Sequence, residues 1–340
     1  MKVAQLGVGY WGPNLLRNLL SNHKCEVQCV VDLSLERRLF VENLNSTINV
    51  QADSNAVFED EGIEAVVIAT PARTHFQLVM RALEAGKHVL VEKPMATTVE
   101  EVDLISQIAE KKELVAMVGH TFLYNQCVQF IKRVIDQGDI GTVRYIYSQR
   151  LNLGRIRRDV NALWNLAPHD VSILQYWLNE PEPIDVSMTG MCFVQESIED
   201  VAFLNITYPN NIMAHCHVSW LDPQKVRQIT VVGSKKMIVY DDLADNKVAI
   251  YDKGIDRMAV LGEGMDFDQS PLFTLSHRSG DVILPKIEWK EPLQLEVNHF
   301  LDCIMGQDEC LTSTEHARNV IQILSLASDK NRTHSRNSHY

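Results

Sequence analysis

Three glycines near the start of the chain, Gly7, Gly9 and Gly12, have the G-x-G-x-x-G spacing of a phosphate-binding turn. They follow directly on an apolar run and open a helical segment, with Tyr10 and Trp11 inside the motif. The first glycine permits a tight turn, the second lets a pyrophosphate approach the backbone, and the third lets helix and strand pack closely. Amides at the helix start then face the phosphates. The motif predicts a dinucleotide site, against the alternative of a glycine-rich turn without a ligand.

An acidic residue, Asp32, ends the second predicted strand about 20 residues beyond the glycines. Its carboxylate there can accept hydrogen bonds from the adenosine ribose hydroxyls, and its charge repels a 2′-phosphate. This favours NAD over NADP, although the nearby Arg37 and Arg38 soften the preference. The alternative is an aspartate that only forms a turn at a strand end.

Two further polar segments follow predicted strands, at the carboxyl ends where open parallel sheets bind their ligands. Their polar and conformationally restricted residues are Thr70, Pro71, His75, Glu92 and Lys93. Pro94 biases Lys93 away from helical conformation, which holds the ammonium group at the edge of the sheet. A lysine placed there can hydrogen-bond a substrate hydroxyl, whereas a lysine considered by itself is more often a solvated surface residue.

A histidine, His169, lies at the predicted start of a helix in which Pro168 occupies the first turn. Asn165 is four residues earlier and shares its face. The positive helix terminus disfavours imidazolium, which leaves His169 able to accept a proton. The alternative is a helix-capping Asn165 and a packing His169.

Hydride transfer from a secondary alcohol to NAD⁺ requires loss of the hydroxyl proton to a positioned base. Lys93 and His169 are the two candidate catalytic residues. A positive nicotinamide ring would also disfavour a protonated Lys93. Which of the two takes the proton and which orients the hydroxyl stays open.

The elements that must position these residues alternate, up to about Gly119, between short β-branched runs and helical segments, as in βαβ units. Strands are predicted at residues 3–6, 27–31, 65–69, 88–91 and 114–118. Helices are predicted at residues 13–20, 35–43, 76–85 and 99–110. The pattern predicts an α/β fold with a doubly wound parallel sheet, an N-terminal Rossmann NAD-binding domain at residues 1–122.

The pattern changes after Asn125. Helices are predicted at residues 125–136, 166–178, 293–304 and 315–327, and strands at 143–153, 226–232 and 237–240. Alternation at 201–208 and 212–220 predicts an antiparallel hairpin. Residues 254–285 look irregular and receive no assignment. An α+β substrate-binding and oligomerisation domain with a large, mainly antiparallel open sheet is predicted at 123–330, followed by a loose tail at 331–340.

Composition excludes several classes of protein. Of the 340 residues, 46% are hydrophobic and 22% charged, which is ordinary for a globular protein, and the net charge of −12 argues against a nucleic-acid partner. No apolar run is long enough to span a bilayer and no signal-peptide pattern opens the chain, which predicts a cytoplasmic protein without a membrane partner. The seven cysteines are odd in number and form no C-x-x-C pair, so reduced thiols and no metal site are predicted.

These segments resemble the Gfo/Idh/MocA oxidoreductases over nearly the whole chain. The resemblance rests on residues 7–12, 69–71, 85–94 and 118–120 and on the helix bearing His169. It implies catalytic roles for Lys93 and His169. It also implies an NAD site that adds Tyr10, Trp11, Thr70, Pro71, His75, Glu92 and Lys93 itself to the glycines and Asp32. Many members have aspartate where this chain has Asn165 and Ser172, which puts a charged carboxylate in the proton relay in doubt. Asn165 can only donate or accept hydrogen bonds.

A narrower similarity, at residues 7–14, 150–155 and 163–170, is to the nucleotide-sugar branch of the family. It implies NAD-dependent oxidation of the C3 hydroxyl of a UDP-linked N-acetylamino-uronic acid. Arg155, Arg157 and Arg158 would suit a carboxylate or diphosphate, unless they form a solvated basic turn. The residues expected to bind the sugar are Lys93, His120, Asn152, Arg155, Arg158, Asn165 and His169.

Three alternative functions stay open. They are a 3-ketosugar reductase acting on a nucleotide deoxysugar, an inositol or free-sugar dehydrogenase, and a nicotinamide-binding sensor without turnover. The presence of both Lys93 and His169 argues against the sensor. The resemblance also implies that the sheet of the second domain packs against another subunit, giving a homodimer or homotetramer.

Overall fold

The computed structural model describes residues 1–154, 156–259 and 273–337. The chain divides into two compact units. The first comprises Met1–Val128, Ala167–Glu182 and the residues from Trp289 onward, and the second comprises Gln129–Leu166 and Pro183–Glu288. Within the described residues, no helix combines the length and the apolar character needed to cross a bilayer.

The first unit is built on a six-stranded parallel sheet. Its strands are β1 (Lys2–Leu6), β2 (Glu26–Val31), β3 (Asn49–Gln51), β4 (Ala65–Ile68), β5 (His88–Glu92) and β6 (Ala116–Gly119). Their order is β3-β2-β1-β4-β5-β6, so the direction of winding reverses at β1, which pairs with both β2 and β4. This is the strand order of the doubly wound dinucleotide-binding fold, and it confirms the predicted fold class.

Five helices connect these strands: α1 (Gly12–Leu20), α2 (Leu35–Leu44), α3 (Asn55–Glu59), α4 (His75–Glu84) and α5 (Val99–Lys111). Three leucines of α1, Leu15, Leu16 and Leu19, are buried at helical spacing, so one face of this helix packs into the core of the unit. Thr98 caps α5, since its side chain accepts a hydrogen bond from Glu101 N. The short elements β3 and α3 were not predicted.

The second unit contains an eight-stranded sheet in the order β14-β13-β12-β11-β7-β10-β9-β8. Its strands are β7 (Val143–Leu153), β8 (Asp185–Met191), β9 (Val201–Tyr208), β10 (Ile212–Ser219), β11 (Leu221–Gly233), β12 (Met237–Asp241), β13 (Val248–Ala259) and β14 (Phe273–Ile283). In the sequence, helix α6 (Gln126–Asp136) precedes β7 and helix α7 (Ala162–Leu178) follows it. Among the described strand pairs of this second sheet, only β7 and β10 run parallel. The predicted antiparallel hairpin of β9 and β10 is confirmed.

Helices α8 (Pro292–Ile304) and α9 (Thr314–Asn337) come from the end of the sequence and belong to the first unit. Phe300 and Leu301 of α8 are buried in the same core cluster as Leu15 and Leu16 of α1. The chain therefore returns to complete the core of the first unit after forming the second.

Helix α7 begins earlier than predicted. Asn161 precedes it, and the Asn161 side chain accepts a hydrogen bond of 3.0 Å from Trp164 N, as an N-cap does. Pro168 therefore lies inside the helix, and His169 lies well beyond its first turn. The expectation that the positive helix terminus disfavours the imidazolium form of His169 was wrong, because Asn161 and not Pro168 marks the start of the helix.

Two stretches that were expected to lack regular structure, within 254–285 and 331–340, contain strands and a helix. Strands β13 and β14 occupy described parts of 254–285 and pair with each other from Ile250↔Ile283 to Ala259↔Phe273, while 260–272 lie outside the described residues. Helix α9 runs beyond its predicted end at residue 327 and through 331–337, which were expected to be loose. Extending an existing helix adds one backbone hydrogen bond per residue, so a polar sequence can continue it.

Candidate active site

The glycine-rich turn joins β1 to α1, and its three glycines have different surroundings. Gly7 has a φ of +92°, and a Cβ on it would lie 2.6 Å from the carbonyl oxygen of Ala69. A Cβ on Gly12 would lie 2.5 Å from the carbonyl oxygen of Gly7. A Cβ on Gly9, in contrast, would meet no described atom within 4 Å. Packing thus requires the first and third glycines, while the second borders open space.

Gln5 supports this turn from within β1. Its side chain is fully buried, and Nε2 donates hydrogen bonds of 2.9 Å to the carbonyl oxygens of both Gly7 and Gly12. Because a single amide group holds both ends of the turn, the shape of the turn is set before any ligand binds. Gln5 is not among the residues predicted from the sequence, although a polar residue in the middle of an apolar strand is a signal for such a role.

Asp32 lies at the carboxyl end of β2, beside the glycine turn. Its Oδ2 accepts a hydrogen bond of 2.7 Å from Val8 N, and its Oδ1 accepts one of 2.8 Å from Ser34 N. Arg38 donates to the carbonyl oxygens of Asp32 and Leu33, at 2.8 and 2.9 Å. The carboxylate is therefore held in place and keeps lone pairs for a ligand hydroxyl.

These features fit a dinucleotide. Free space lies at Gly9, the amides of the first turn of α1 follow it, and the Asp32 carboxylate is fixed beside Val8. Tyr10 is 89% exposed and Trp11 39% exposed. Both aromatic side chains therefore offer surface that a bound ligand can cover.

His75 connects the two polar segments that follow β4 and β5. Its Nε2 lies 2.8 Å from the carbonyl oxygen of Thr70, and its Nδ1 lies 2.7 Å from that of Pro94. Burial lowers the pKa of His75, against the raising effect of these two carbonyls, and the charge of Lys93 lowers it further. Because the ring is only 1% exposed, His75 holds the two segments together and presents almost no surface of its own.

Thr70 and Pro71 lie on the segment that His75 braces. Thr70 Oγ1 and Thr74 Oγ1 are 2.8 Å apart, and Thr74 Oγ1 donates a hydrogen bond of 2.7 Å to the carbonyl oxygen of Pro71. This hydroxyl chain fixes the backbone directly after β4. The carbonyl of Ala69, at the same strand end, is the atom that leaves no room for a side chain at Gly7.

Glu92 links the strand that carries Lys93 to the glycine turn. Its carboxylate accepts a hydrogen bond from the side chain of Trp11 and one of 3.3 Å from Lys93 N. Burial raises the pKa of Glu92 to about 7, although the Lys93 charge and these hydrogen bonds oppose the rise. The Lys93–Pro94 peptide bond that follows is cis. Lys93 is therefore positioned at the carboxyl end of β5 by contacts that reach back to Trp11.

His120, directly after β6, belongs to a chain of buried polar groups. Burial lowers its pKa well below the ordinary value, and the charges of His316 and Lys93 lower it further. The rings of His120 and His316 meet edge to face at 5.0 Å between centroids, and His316 Nδ1 lies 2.7 Å from Glu180 Oε1. His120 is thus a neutral group within electrostatic reach of Lys93. It is 2% exposed, which leaves little surface for the sugar contact expected of it.

Glu296 of α8 is a second buried carboxyl group that the sequence analysis missed. It is fully buried and accepts a hydrogen bond of 2.8 Å from Thr121 Oγ1. Burial raises its pKa well above the ordinary value, and the charge of Glu92 adds to the rise. The surroundings of Glu296 therefore disfavour its ionised form, since a second buried negative charge near Glu92 is costly.

His169 belongs to the same compact unit as Lys93. Its ring meets the Phe122 ring edge to face at 5.0 Å between centroids, and its carbonyl oxygen accepts a hydrogen bond of 2.8 Å from Ser172 Oγ. Phe122 lies two residues beyond His120. The segment after β6 therefore contacts His169 through Phe122 and interacts with Lys93 through His120.

The other expected sugar-binding residues belong to the second unit. Asn165 Oδ1 accepts a hydrogen bond of 3.2 Å from Trp220 Nε1, Asn152 is partly buried, and Arg158 is exposed. Arg157 forms an ion pair with Asp159, which raises the pKa of its guanidinium and occupies part of its donor set. Arg155 lies outside the described residues. No cluster of three or more metal-binding side chains occurs in the described part of the chain.

Comparison with known proteins identifies the family. Residues 1–120 match the profile described as "Oxidoreductase family, NAD-binding Rossmann fold", and residues 128–239 match the GFO/IDH/MocA C-terminal domain. UDP-N-acetylglucosamine 3-dehydrogenase of Acidithiobacillus ferrooxidans is 30% identical over 193 residues, 56% of this chain and 59% of that protein. scyllo-Inositol 2-dehydrogenase (NAD⁺) of Bacillus subtilis is 26% identical over 89% of this chain and 86% of that protein.

The match to the first two curated relatives spans less than two thirds of their length, 59% and 58%. The second of these is a 2,7-anhydro-N-acetylneuraminate hydratase of Mediterraneibacter gnavus, 26% identical over 61% of this chain. Similarity by sequence therefore extends to proteins named for different reactions.

Solved structures share the whole architecture. The A. ferrooxidans enzyme aligns over 98% of both chains with a TM-score of 0.79 and 22% identity. GenD2 from gentamicin A biosynthesis, in complex with NAD, aligns over 98% of this chain and 94% of its own, with a TM-score of 0.80 and 19% identity. At these identities the likeness shows the fold. The two matched profiles establish that this chain belongs to the Gfo/Idh/MocA family of oxidoreductases, with an NAD-binding Rossmann domain at residues 1–120.

Proposed function

We propose that this chain is an NAD-dependent dehydrogenase that oxidises the C3 hydroxyl of a UDP-linked N-acetylamino-uronic acid. The observation that carries the proposal is the link from Trp11 through Glu92 to Lys93. It ties the one lysine of the Glu-Lys-Pro motif to the turn that fits a pyrophosphate. A lysine at the carboxyl end of a parallel strand, beside a dinucleotide site, is placed to act on the bound alcohol.

We assign the NAD site to the turn from Gly7 to Gly12, to Asp32, and to the segment of Thr70 and Pro71. Bound NAD supplies the hydride acceptor. Asp32 accepts hydrogen bonds from the ribose hydroxyls. His75 holds the segments after β4 and β5 together through its contacts with the Thr70 and Pro94 carbonyl oxygens.

We assign removal of the hydroxyl proton to Lys93 and His169 together, one as the base and the other as the group that orients the hydroxyl. His120 supports this arrangement as a neutral neighbour, because a second positive charge beside Lys93 would oppose binding of a cationic nicotinamide. Asn165 contributes no charge, and its side-chain oxygen is occupied by Trp220 Nε1. The carboxylate found at this position in many relatives is thus not part of the proposed proton transfer.

The substrate class is supported by the A. ferrooxidans relative, which is named for a UDP-sugar, and by Arg158, an exposed cation that suits a carboxylate or diphosphate. The test is NADH formation with a panel: the UDP-linked N-acetylamino-uronic acid, UDP-N-acetylglucosamine as its counterpart without the sugar carboxylate, and myo- and scyllo-inositol. We expect turnover of the uronic acid and a 3-keto product by mass spectrometry. Turnover of unphosphorylated polyols alone would refute the substrate class, and reduction of a 3-ketosugar without detectable oxidation would reverse the direction.

Changing Asp32 to alanine or asparagine tests the cofactor assignment. Asparagine keeps an acceptor for Val8 N but removes the charge that repels a 2′-phosphate, so we expect the ratio of NADP to NAD dissociation constants to fall in both variants. Alanine also removes both amide contacts and should weaken NAD by about tenfold, or ~1.4 kcal/mol. Calorimetric titration of both nucleotides measures the ratio. An unchanged ratio in the asparagine variant would remove Asp32 from the site.

We further propose a homo-oligomer that forms through the second sheet. Tyr145 and Tyr147 of β7 and Met213 of β10 are exposed on it, and Tyr145 is paired in register with Met213. The two tyrosine rings stack at 6.4 Å between centroids. Such an apolar patch is suited to a second copy of the chain. Sedimentation equilibrium tests the proposal, and a purely monomeric mass would contradict it.

A further inference from the structure

Two cysteines, a histidine and an aspartate meet at the end of α8, away from the residues assigned to catalysis. His299 and Cys303 are one turn apart on this helix, with His299 Nε2 3.4 Å from Cys303 Sγ. His299 Nδ1 lies 3.6 Å from Asp308 Oδ2. Cys310, in the segment after the helix, is hydrogen-bonded to Cys303. Both thiols are in the reduced form.

The backbone determines which nitrogen of His299 carries the proton. Leu311 N donates a hydrogen bond of 3.0 Å to His299 Nε2, which makes Nε2 an acceptor. The ring proton is then on Nδ1, where it faces the Asp308 carboxylate. Nε2 has a single lone pair, so the Cys303 S–H group shares it with Leu311 N, and His299 is a neighbouring acceptor of Cys303 and not a free base. The contact that belongs to the two thiols alone is the hydrogen bond between Cys303 and Cys310.

The acidity of the thiols agrees with this geometry. The hydrogen bond from Cys310, followed by that of His299, lowers the pKa of Cys303 to about 6 against the opposing effect of burial. The Cys310 thiol, as the donor, has a raised pKa. Cys25 and Cys29 behave oppositely, since burial raises the pKa of each to about 11. The hydrogen bond thus favours the thiolate on Cys303 and the protonated thiol on Cys310.

We propose that Cys303 and Cys310 form a peroxide-reactive dithiol that closes to an intramolecular disulfide. The Cys303 thiolate attacks one oxygen of a hydroperoxide; an S–O bond forms, the O–O bond breaks, and hydroxide or alkoxide leaves with the electron pair. The Cys310 sulfur then attacks the sulfenic sulfur; the S–S bond forms, the S–O bond breaks, and water leaves after taking the thiol proton. Two thiols lose two electrons, and with hydrogen peroxide the products are one disulfide and two waters.

The local structure permits the closure. The thiols are already in hydrogen-bonding contact, and the chain between them is short and turns at Gly306, which has a φ of +70°. The Asp308 side chain is 57% exposed, so solvent reaches the edge of the cluster, although Cys303 itself is buried. The segment is anchored just beyond Cys310, because Thr312 O accepts a hydrogen bond of 2.9 Å from Val118 N. Cys310 is only partly buried, so the pair lies close to solvent at this edge of the unit.

The test treats the reduced full-length protein with stoichiometric hydrogen peroxide at pH 7 and then digests it with an endoprotease that cuts after glutamate. Cleavage after Glu296, Glu309 and Glu315 separates Cys303, in 297–309, from Cys310, in 310–315. We expect these two peptides to be joined by a disulfide, with loss of two hydrogens. Cys192 is the internal control, since it is exposed but its pKa is raised, and we expect it to stay reduced. Oxidation of Cys192 before the pair closes would overturn the proposal.

Three variants assign the roles. Cys310→Ser should stop at the sulfenic acid, which dimedone labels on Cys303, whereas Cys303→Ser should leave Cys310 unreactive. His299→Gln should slow disulfide formation at pH 7 by only about twofold to threefold, because Cys310 gives the larger stabilisation of the Cys303 thiolate, and raising the pH should restore the rate. Circular dichroism checks the fold of each variant. If Cys310 in Cys303→Ser reacts with peroxide as fast as the pair does in the unmodified protein, Cys303 is not the attacking thiolate. The time course of disulfide formation in the unmodified protein tests the proposal even if a variant fails to fold.

Discussion

Replacing Lys93 by alanine should abolish most turnover while leaving NAD binding almost unchanged. A positioned acid or base contributes about 10²- to 10⁴-fold to the rate, so we expect kcat/KM to fall at least 100-fold. NAD should still bind, because the glycine turn is held by Gln5 and the Asp32 carboxylate by Val8 N. Calorimetric titration with NAD and steady-state kinetics with the best substrate of the panel separate the two effects.

Lys111→Ala is the matched control, since Lys111 is an exposed lysine in the last turn of α5. We expect it to have normal kinetics. His169→Ala, compared with Lys93→Ala over pH, distinguishes the two roles: loss of the base removes the rising limb of kcat/KM against pH, and loss of the orienting group lowers the whole profile. Full activity of Lys93→Ala would refute the proposed catalytic assignment.

The sequence predicts those parts of the site whose residues lie close together in the sequence. The glycine turn, Asp32 and the Glu-Lys-Pro segment each follow a strand directly, and the βαβ pattern places all strand ends of a parallel sheet at one edge. Local spacing therefore locates these residues without knowledge of tertiary contacts. Gln5 belongs to the same stretch, but its role depends on two carbonyl groups that only the folded turn brings together.

The buried polar partners depend on contacts between distant parts of the sequence. Glu296 pairs with Thr121, and His316 pairs with Glu180, across separations of 175 and 136 residues. Neither α8 nor α9 carries a motif that marks its polar residues as neighbours of the segment after β6. These pairs form because residues 167–182 and the residues from Trp289 onward pack into the first unit, which spacing within the sequence does not predict.

The start of α7 shows how two local signals compete. Pro168 is compatible with a first helical turn, but Asn161 provides the N-cap, and the helix tolerates the proline in its interior. The error matters for chemistry because it removes the helix dipole as a reason for a neutral His169. Contact with Phe122 is the described environment of the His169 ring instead.

A pair of glycine substitutions should separate folding from cofactor binding at the turn. Gly7→Ala forces a side chain into a φ of +92° and within 2.6 Å of the Ala69 carbonyl oxygen. Backbone strain of this kind costs about 1–3 kcal/mol, before the steric overlap is added. We expect the Tm of the NAD-free protein to fall by at least about 4 °C, measured by differential scanning calorimetry.

Gly9→Ala should have the opposite signature, because its new methyl group meets no described atom within 4 Å and instead enters the space assigned to the pyrophosphate. The Tm without NAD should stay unchanged, while the dissociation constant for NAD should rise by about tenfold or more, or ~1.4 kcal/mol. Gly138→Ala, with a φ of +73° and open surroundings, is the control for strain without steric overlap or ligand contact. Unchanged NAD affinity in Gly9→Ala would show that the open space beside this glycine is not where the phosphates bind, and the placement of the cofactor would have to be abandoned even if Lys93 proved essential.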